Sequence, residues 1–292
     1  MADVPSVAVD IAPVHSLVTR VMDGVGSPDL IVPPGASPHE YNLKPSDAKA
    51  LQDAAVVFWV GEDLTPWLER AIETLSDGAS VTSLLEADGT ALLNFREYAL
   101  FEALDHDNHA EGDHAHEEHA HSAHDPHAWL SPDNAATWLN VIAAQLSATD
   151  PENAEAYFAN ASSGRHEIAS LKDEISNILD PMREKQFIVF HDAYQYFETA
   201  FDFPAAGAIS LSDASDPSPA RIAEIQNRVR NEGIDCVLAE PQYNPDMVAT
   251  VLDGTDAATG VLDPIGSDIE PGSEMYPQLL KNLANVLADC LK

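Results

Sequence analysis

The sequence predicts an α/β fold: two Rossmann-like lobes with mostly parallel sheets, joined by a long rigid helix. Three observations lead there. Strand and helix signals alternate through the first half of the chain, and the same alternation returns in the second half. The strand candidates include buried-type apolar runs such as residues 55–60 (AVVFWV), which suit a sheet covered by helices. Between the halves stand two helical stretches, each opening with a capping residue followed by proline.

In chain order, residues 6–12 (SVAVDIA) read as a strand, and 13–24 as a helix begun by proline and stopped by glycine. A second strand at 29–33 runs into the turn PGASP at 34–38. Residues 45–54 are helical with proline in the first turn, 55–60 a strand, 65–75 a helix and 79–85 a fourth strand. Helices at 132–147 and 151–179 follow, starting after Ser131 and Asp150. The second has the length, about 43 Å at 1.5 Å per residue, to brace both lobes against wide hinge motion. Gly164 is the point where it can kink. The second half repeats the logic, with strands at 186–190, 205–210, 236–240 and 260–263. Helices fall at 194–200, 218–231 (Ser218 as N-cap), 245–252 and 273–291. The expected organisation is an N-terminal lobe over 1–149, a linking helix over 150–180 and a C-terminal lobe over 181–292.

Bulk properties narrow the function. Acidic residues number 49 against 14 basic ones, a formal charge of −35, so the chain lacks the clustered Lys and Arg that nucleic acid requires. The negative field favours cations, although a solvated acidic surface is its simplest cause. No apolar run reaches the ~18 residues of a membrane span. The chain opens Met-Ala-Asp-Val-Pro and runs straight into a strand, as expected of a mature exported chain whose signal peptide has been removed. The two cysteines, Cys236 and Cys290, lack CxxC spacing. They form one disulfide if the protein is exported and stay reduced in a cytosol.

Residues 105–125 stand apart. They carry His106, His109, His114, His116, His119, His121 and His124 among Asp, Glu and Ala, with almost no large apolar side chain to offset ordering. We read them as a mobile loop of low-affinity metal sites. It either gathers metal for a tighter site or is a solubilising insert that binds metal because any histidine cluster does. Histidines near pKa ~6.5 release metal on mild acidification, because the proton competes for the same nitrogen.

Three other histidines sit in different settings: His39 in GASPHEYNLKPSD, His127 in DPHAWLSP and His191 in FHDAYQYFE, beside the strand-end Asp263 of VLDPIG. The carboxyl ends of strands in open α/β sheets face the ligand crevice, so these residues converge on the cleft between the lobes. Three neutral imidazoles with a carboxylate or water suit tetrahedral Zn²⁺ better than Mn²⁺, Mg²⁺ or Ca²⁺. Asp192, next to His191, is a candidate to orient a ligand ring. His15, in the first helix, is expected to have a packing or hydrogen-bonding role, His166 to lie on a solvated face, and Trp129 to line the cleft.

These motifs, with LAEPQY, occur in the order in which they occur in the bacterial high-affinity zinc-uptake solute-binding proteins (ZnuA-type), which the chain resembles from its first strand to its closing Cys-Leu-Lys. The resemblance implies a periplasmic, non-enzymatic subunit of an ABC transporter that captures Zn²⁺ in the inter-lobe cleft and delivers it to a membrane permease. A zinc metallochaperone is a second candidate partner. It places His39, His127 and His191 as the zinc-binding histidines, with the fourth position open between Asp263 and water. Pro38 stands where some relatives carry an acidic ligand. It also implies a disulfide between Cys236 and Cys290. Two other readings of the same residues are a zinc hydrolase, for which no HExxH pairing exists, and a zinc buffer or adhesin acting through the histidine-rich loop.

Overall fold

The computed structural model describes residues 4–96, 124–210 and 217–292. Six of the seven loop histidines, His106, His109, His114, His116, His119 and His121, lie outside the described residues; His124 lies inside them.

Within the described residues the chain forms two four-stranded parallel sheets. The first contains β1 (Val7–Val9), β2 (Asp29–Leu30), β3 (Val56–Trp59) and β4 (Ser80–Ser83) in the order β2-β1-β3-β4. The second contains β5 (Phe187–His191), β6 (Gly207–Ser210), β7 (Cys236–Ala239) and β8 (Ala258–Val261) in the order β6-β5-β7-β8. The topology is the same in both: the first strand of each half pairs with the second on one side and the third on the other. Every residue of β1, β3 and β5 is buried, which is why these strands read as unbroken apolar runs. Strand ends differ from the sequence reading by a few residues; His191, expected just after its strand, is the last residue of β5, and β8 begins two residues earlier than expected.

The helices are α1 (Ala12–Val21), α2 (Pro45–Asp53), α3 (Pro66–Leu75), α4 (Pro132–Thr149), α5 (Ala154–Leu179), α6 (Gln195–Phe201), α7 (Pro219–Asn231), α8 (Pro245–Leu252) and α9 (Met275–Cys290). Ser131 and Ser218 cap α4 and α7 as expected, accepting from Asn134 N and Arg221 N. Asp150 takes the N-cap position of a short 3₁₀ turn rather than of α5 itself, without a side-chain capping bond. Its carboxylate accepts from the Asn153 side chain (2.7 Å) and from Tyr157 OH (2.9 Å), and Pro151–Asn153 form a 3₁₀ turn before α5 starts. The side-chain bond from Asn153 holds the Asp150 carboxyl below its ordinary range.

Helix α5 spans ~39 Å and runs unbroken through Gly164. The glycine serves a close approach rather than a kink. A Cβ there would stand 2.9 Å from Leu139 Cδ1 of α4 and 3.3 Å from Arg20 Cγ of α1. Tyr157, Ala161, Gly164, Ile168, Leu171, Ile175 and Leu179 form its buried stripe at spacings of three and four. That stripe belongs to one continuous apolar cluster shared by both lobes, reaching from Val7 and Val9 through Trp129, Trp138 and Phe187 to Leu280 and Leu291. The outer faces of the two sheets carry their own smaller clusters, one around Val57 and Ile72, the other around Ile188 and Val237. Among the described residues, no helix is long and apolar enough to cross a membrane.

Cys236 of β7 is bonded to Cys290 at the end of α9, 54 residues along the chain. Closing a loop of that length removes about 4 kcal/mol of unfolded-chain entropy. Replacing both cysteines by alanine is therefore expected to lower the unfolding free energy by about 4 kcal/mol, read by denaturant titration at equal protein concentration.

Asp10, at the end of β1, is 1% exposed, and its carboxylate accepts from Ile11 N (2.8 Å) and Val60 N (2.7 Å), tying β1 to the segment after β3. Burial pushes its pKa up to about 7, from an ordinary 3.8. Between those values the folded protein holds a proton that the unfolded chain has lost, so this group makes stability fall as pH rises through the window. Asp10→Asn mimics the protonated carboxyl. The stability of the unchanged protein relative to this variant is expected to decline from pH 5 to pH 7.5, measured by denaturant titrations across pH.

Candidate metal centre

Each of the three histidines is fixed by neighbours that its local sequence supplies. His39 follows a turn in which Gly35 takes φ +83°, a conformation glycine adopts without strain. Trp67 of α3 donates its indole N–H to Pro38 O (2.7 Å), and Tyr41 OH donates to Asp47 of α2 (2.9 Å), so this loop is pinned on both sides of the histidine. His127 opens a 3₁₀ turn, Ala128–Leu130. Asp125 Oδ1 accepts from both its backbone N–H (3.0 Å) and its Nδ1 (2.7 Å). His191 ends β5, and Glu240 follows β7 in the adjacent strand. The Glu240 carboxylate accepts from His191 N (3.2 Å) and Nδ1 (2.8 Å) at Oε1.

Both carboxylates are buried, Asp125 at 1% and Glu240 at 4% exposure. A carboxylate that accepts from Nδ1–H fixes the tautomer and leaves Nε2 with its lone pair for a metal. The Nε2 of His127 is buried with no hydrogen-bond partner among the described residues. The ring centroids of His39 and His127 lie 5.5 Å apart, and those of His127 and His191 lie 5.3 Å apart. Imidazoles on one tetrahedral Zn²⁺, with bonds of about 2.0–2.1 Å, put their centroids ~5 Å apart. Among the described residues no three His, Cys, Asp or Glu side chains are yet grouped so as to hold an ion.

The three rings line one small cavity with Ser37, Pro38, Trp129, Glu240, Gln242, Tyr243, Pro264 and Ile265. Its walls come from both lobes. Trp129 lies 5.2 Å from the His127 ring and donates its indole N–H across the lobes to Pro264 O (2.8 Å), so the tryptophan both lines and bridges the cleft. Tyr243 stacks on Phe190 (4.3 Å) and stands 5.6 Å from His191.

Other sequence-predicted residues fall elsewhere. Asp263 does not line the histidine cavity; it faces a separate groove against α9. Its oxygens accept from Gln242 Nε2 (3.2 Å), Ile265 N (3.1 Å) and Ser267 N. Asp192 does not orient His191. It is paired with Arg96 (2.8 Å), which also grips Glu198 through two bonds of 3.1 and 2.8 Å, and burial raises the Asp192 pKa to about 6. His124 pairs through its backbone with Asn94 in an isolated antiparallel bridge. His15 bonds Pro28 O (3.1 Å), and His166 is exposed. Sequence reasoning missed Asp125 and Glu240 as the groups that orient the rings. For Asp125 the available signal was an acidic residue two places before a candidate ligand; for Glu240 it was a strand-end carboxylate that only the β5–β7 pairing brings to His191.

Comparison with known proteins decides the family. The chain matches the family described as zinc-uptake complex component A, periplasmic (ZnuA), over residues 7–290. The chain belongs to the ZnuA family. A high-affinity zinc uptake system protein ZnuA from Brucella abortus (strain 2308) is 45% identical over 304 aligned positions, covering 98% of this chain and 91% of that protein. The protein of the same description from Paracoccus denitrificans (strain Pd 1222) is 41% identical, covering 99% and 93%. Among solved structures, a crystal structure of ZnuA superposes with a TM-score of 0.80 at 22% identity, covering 99% of this chain and all of that one, and so shares the fold. Family members of this kind are periplasmic components of zinc-uptake complexes.

The carboxylate–imidazole pairs carry a direct test. Asp125→Asn and Glu240→Gln each let the ring turn or take the wrong tautomer. Each is expected to weaken Zn²⁺ binding by about 10–100-fold without removing a ligand, measured by competition with a chromophoric chelator.

Proposed function

We propose that this chain is the extracytoplasmic binding subunit of an ABC-type zinc importer, which captures Zn²⁺ in the periplasm and delivers it to the membrane permease without chemical turnover. The observation that carries this reading is the cavity where His39, His127 and His191 meet, two of them with Nδ1 already committed to a buried carboxylate. His39, His127 and His191 supply three Nε2 donors, and the ion's own bonds draw the rings into final convergence. Imidazole favours Zn²⁺ over the harder Mn²⁺, Mg²⁺ and Ca²⁺. The negative charges of Asp125 and Glu240, one step behind the rings, balance the two positive charges of the ion in a cavity that water screens poorly.

Capture competes with protonation of the same nitrogens, so affinity falls on acidification. Because ligands come from both lobes, displacing one lobe against the other opens the coordination sphere. The core shared by the lobes makes that displacement costly for the free protein, which assigns release to the permease. The histidines of residues 105–125 add weaker sites for the same cargo.

Titration against a chelator tests this. The intact chain and a variant lacking residues 105–123, which keeps the Asp125 that holds His127, are expected to share one tight Zn²⁺ event, the deletion losing only weak ones. His39→Ala, His127→Ala and His191→Ala are each expected to abolish the tight event. A tight event that disappears with the deletion, or survives His127→Ala, would overturn the assignment.

A further inference from the structure

The zinc centre as proposed has three protein ligands and an open fourth position, and one polar side chain in the cavity wall has no role so far. Gln242 lines the histidine cavity. Its amide nitrogen donates to Asp263 Oδ1 (3.2 Å) and to Ser267 Oγ (3.0 Å). An ionised carboxylate only accepts, so the NH₂ edge must face Asp263, and the amide orientation follows from chemistry rather than from a choice between two look-alike atoms. The opposite edge, Oε1, is buried and has no hydrogen-bond partner among the described residues. A buried acceptor without a partner is costly and marks a place where a donor is expected.

We propose that Gln242 completes the centre: its amide oxygen accepts a hydrogen bond from the water that fills the fourth position on the captured Zn²⁺, and Asp263 acts by clamping that amide. The inference rests on the three-histidine centre and deepens it. A water bound to Zn²⁺ has strongly polarised O–H bonds, which makes it a good donor for a buried neutral acceptor. Asp263 serves from behind. Its oxygens already hold Gln242, Ile265 N and Ser267 N, and it faces the separate groove against α9, so direct ligation would break the turn that shapes this wall of the cavity. Gln242 is thus a positioning residue. It selects a metal that keeps a water in a tetrahedral set over one that would demand a carboxylate.

The test uses the full chain and four variants: Gln242→Ala, Asp263→Asn, the two combined, and His127→Ala. Melting of the metal-free proteins establishes that each folds. Gln242→Ala is expected to weaken Zn²⁺ binding by about tenfold or more. Asp263→Asn is expected to cost no more than that, and to add less than a twofold loss in the Gln242→Ala background. In the cobalt-loaded protein, azide competes for the water position. It is expected to bind several-fold more tightly to Gln242→Ala, as the visible spectrum reports, because the displaced water has lost its partner. Zinc affinity within twofold of the unchanged protein with an unaltered azide titration would overturn the proposal. So would an Asp263→Asn loss that persists undiminished in the Gln242→Ala background, which would make Asp263 itself the ligand. A tight site that survives His127→Ala would overturn the three-histidine centre, and this assignment with it, whatever Gln242→Ala does.

Discussion

A neutral imidazole offers a metal one nitrogen at a time, and the contact made by its other nitrogen settles which one. In this protein that decision is made twice by a buried carboxylate, Asp125 for His127 and Glu240 for His191. The architecture around the cleft can be understood as what it takes to keep those two acids dry and in place. Asp125 also accepts the His127 backbone N–H, so acid and ring are set by one tight turn. Glu240 owes its position to the pairing of β5 with β7, which sets the ends of two parallel strands side by side. The desolvation of each carboxylate is offset by the ring N–H and backbone N–H it accepts, and further by a bound cation.

The second constraint is mechanical. Proteins that capture a ligand between lobes commonly hinge, but here the lobes share one apolar cluster and a helix about 39 Å long lies across both. Polar links cross the same boundary: Trp129 to Pro264, Tyr276 OH to Trp129 O (2.9 Å), and Ser16 Oγ to Ser273 O (3.1 Å). Arg96, gripping Glu198 and paired with Asp192, adds a buried charge cluster that any wide opening would strand without partners. The two lobes are therefore held in a fixed relation, which suits capture of a small ion by small side-chain movements rather than by wide hinge closure.

Much of this was legible in the sequence, for reasons that can be named. Fully buried parallel strands such as Val56–Trp59 announce themselves as apolar runs, and proline after Ser131 and Ser218 marks helix starts. Three separated histidine motifs in family order pointed to the cleft residues. What could not be read depended on neighbours distant in the chain. Glu240 reaches His191 only through sheet pairing, and Gly164 proved to be a contact with Leu139 rather than a bend. Asp192 looked like the natural partner of His191 because it is adjacent, yet successive residues at a strand end point to opposite sides, and its carboxylate meets Arg96 instead. Asp263 sits at a strand end as expected, but its oxygens are used by the turn that follows.

The pairing of Asn94 with His124 has a consequence beyond the local ladder. Together with Asp125 N donating to Leu93 O (2.8 Å), and Tyr196 OH bridging between Leu93 N (3.0 Å) and Asp125 O (2.8 Å), it closes the base of the intervening segment. The entropy of closing a chain between two fixed points rises only with the logarithm of the number of residues between them, about 0.6 kcal/mol per doubling. Leu93, Asn94, His124, Asp125 and Tyr196 thus fix the chain just before the His127 turn, independently of how many residues lie between 94 and 124. A change in the number of residues between 94 and 124 is therefore expected to cost little stability and to leave the Asp125–His127 turn in place.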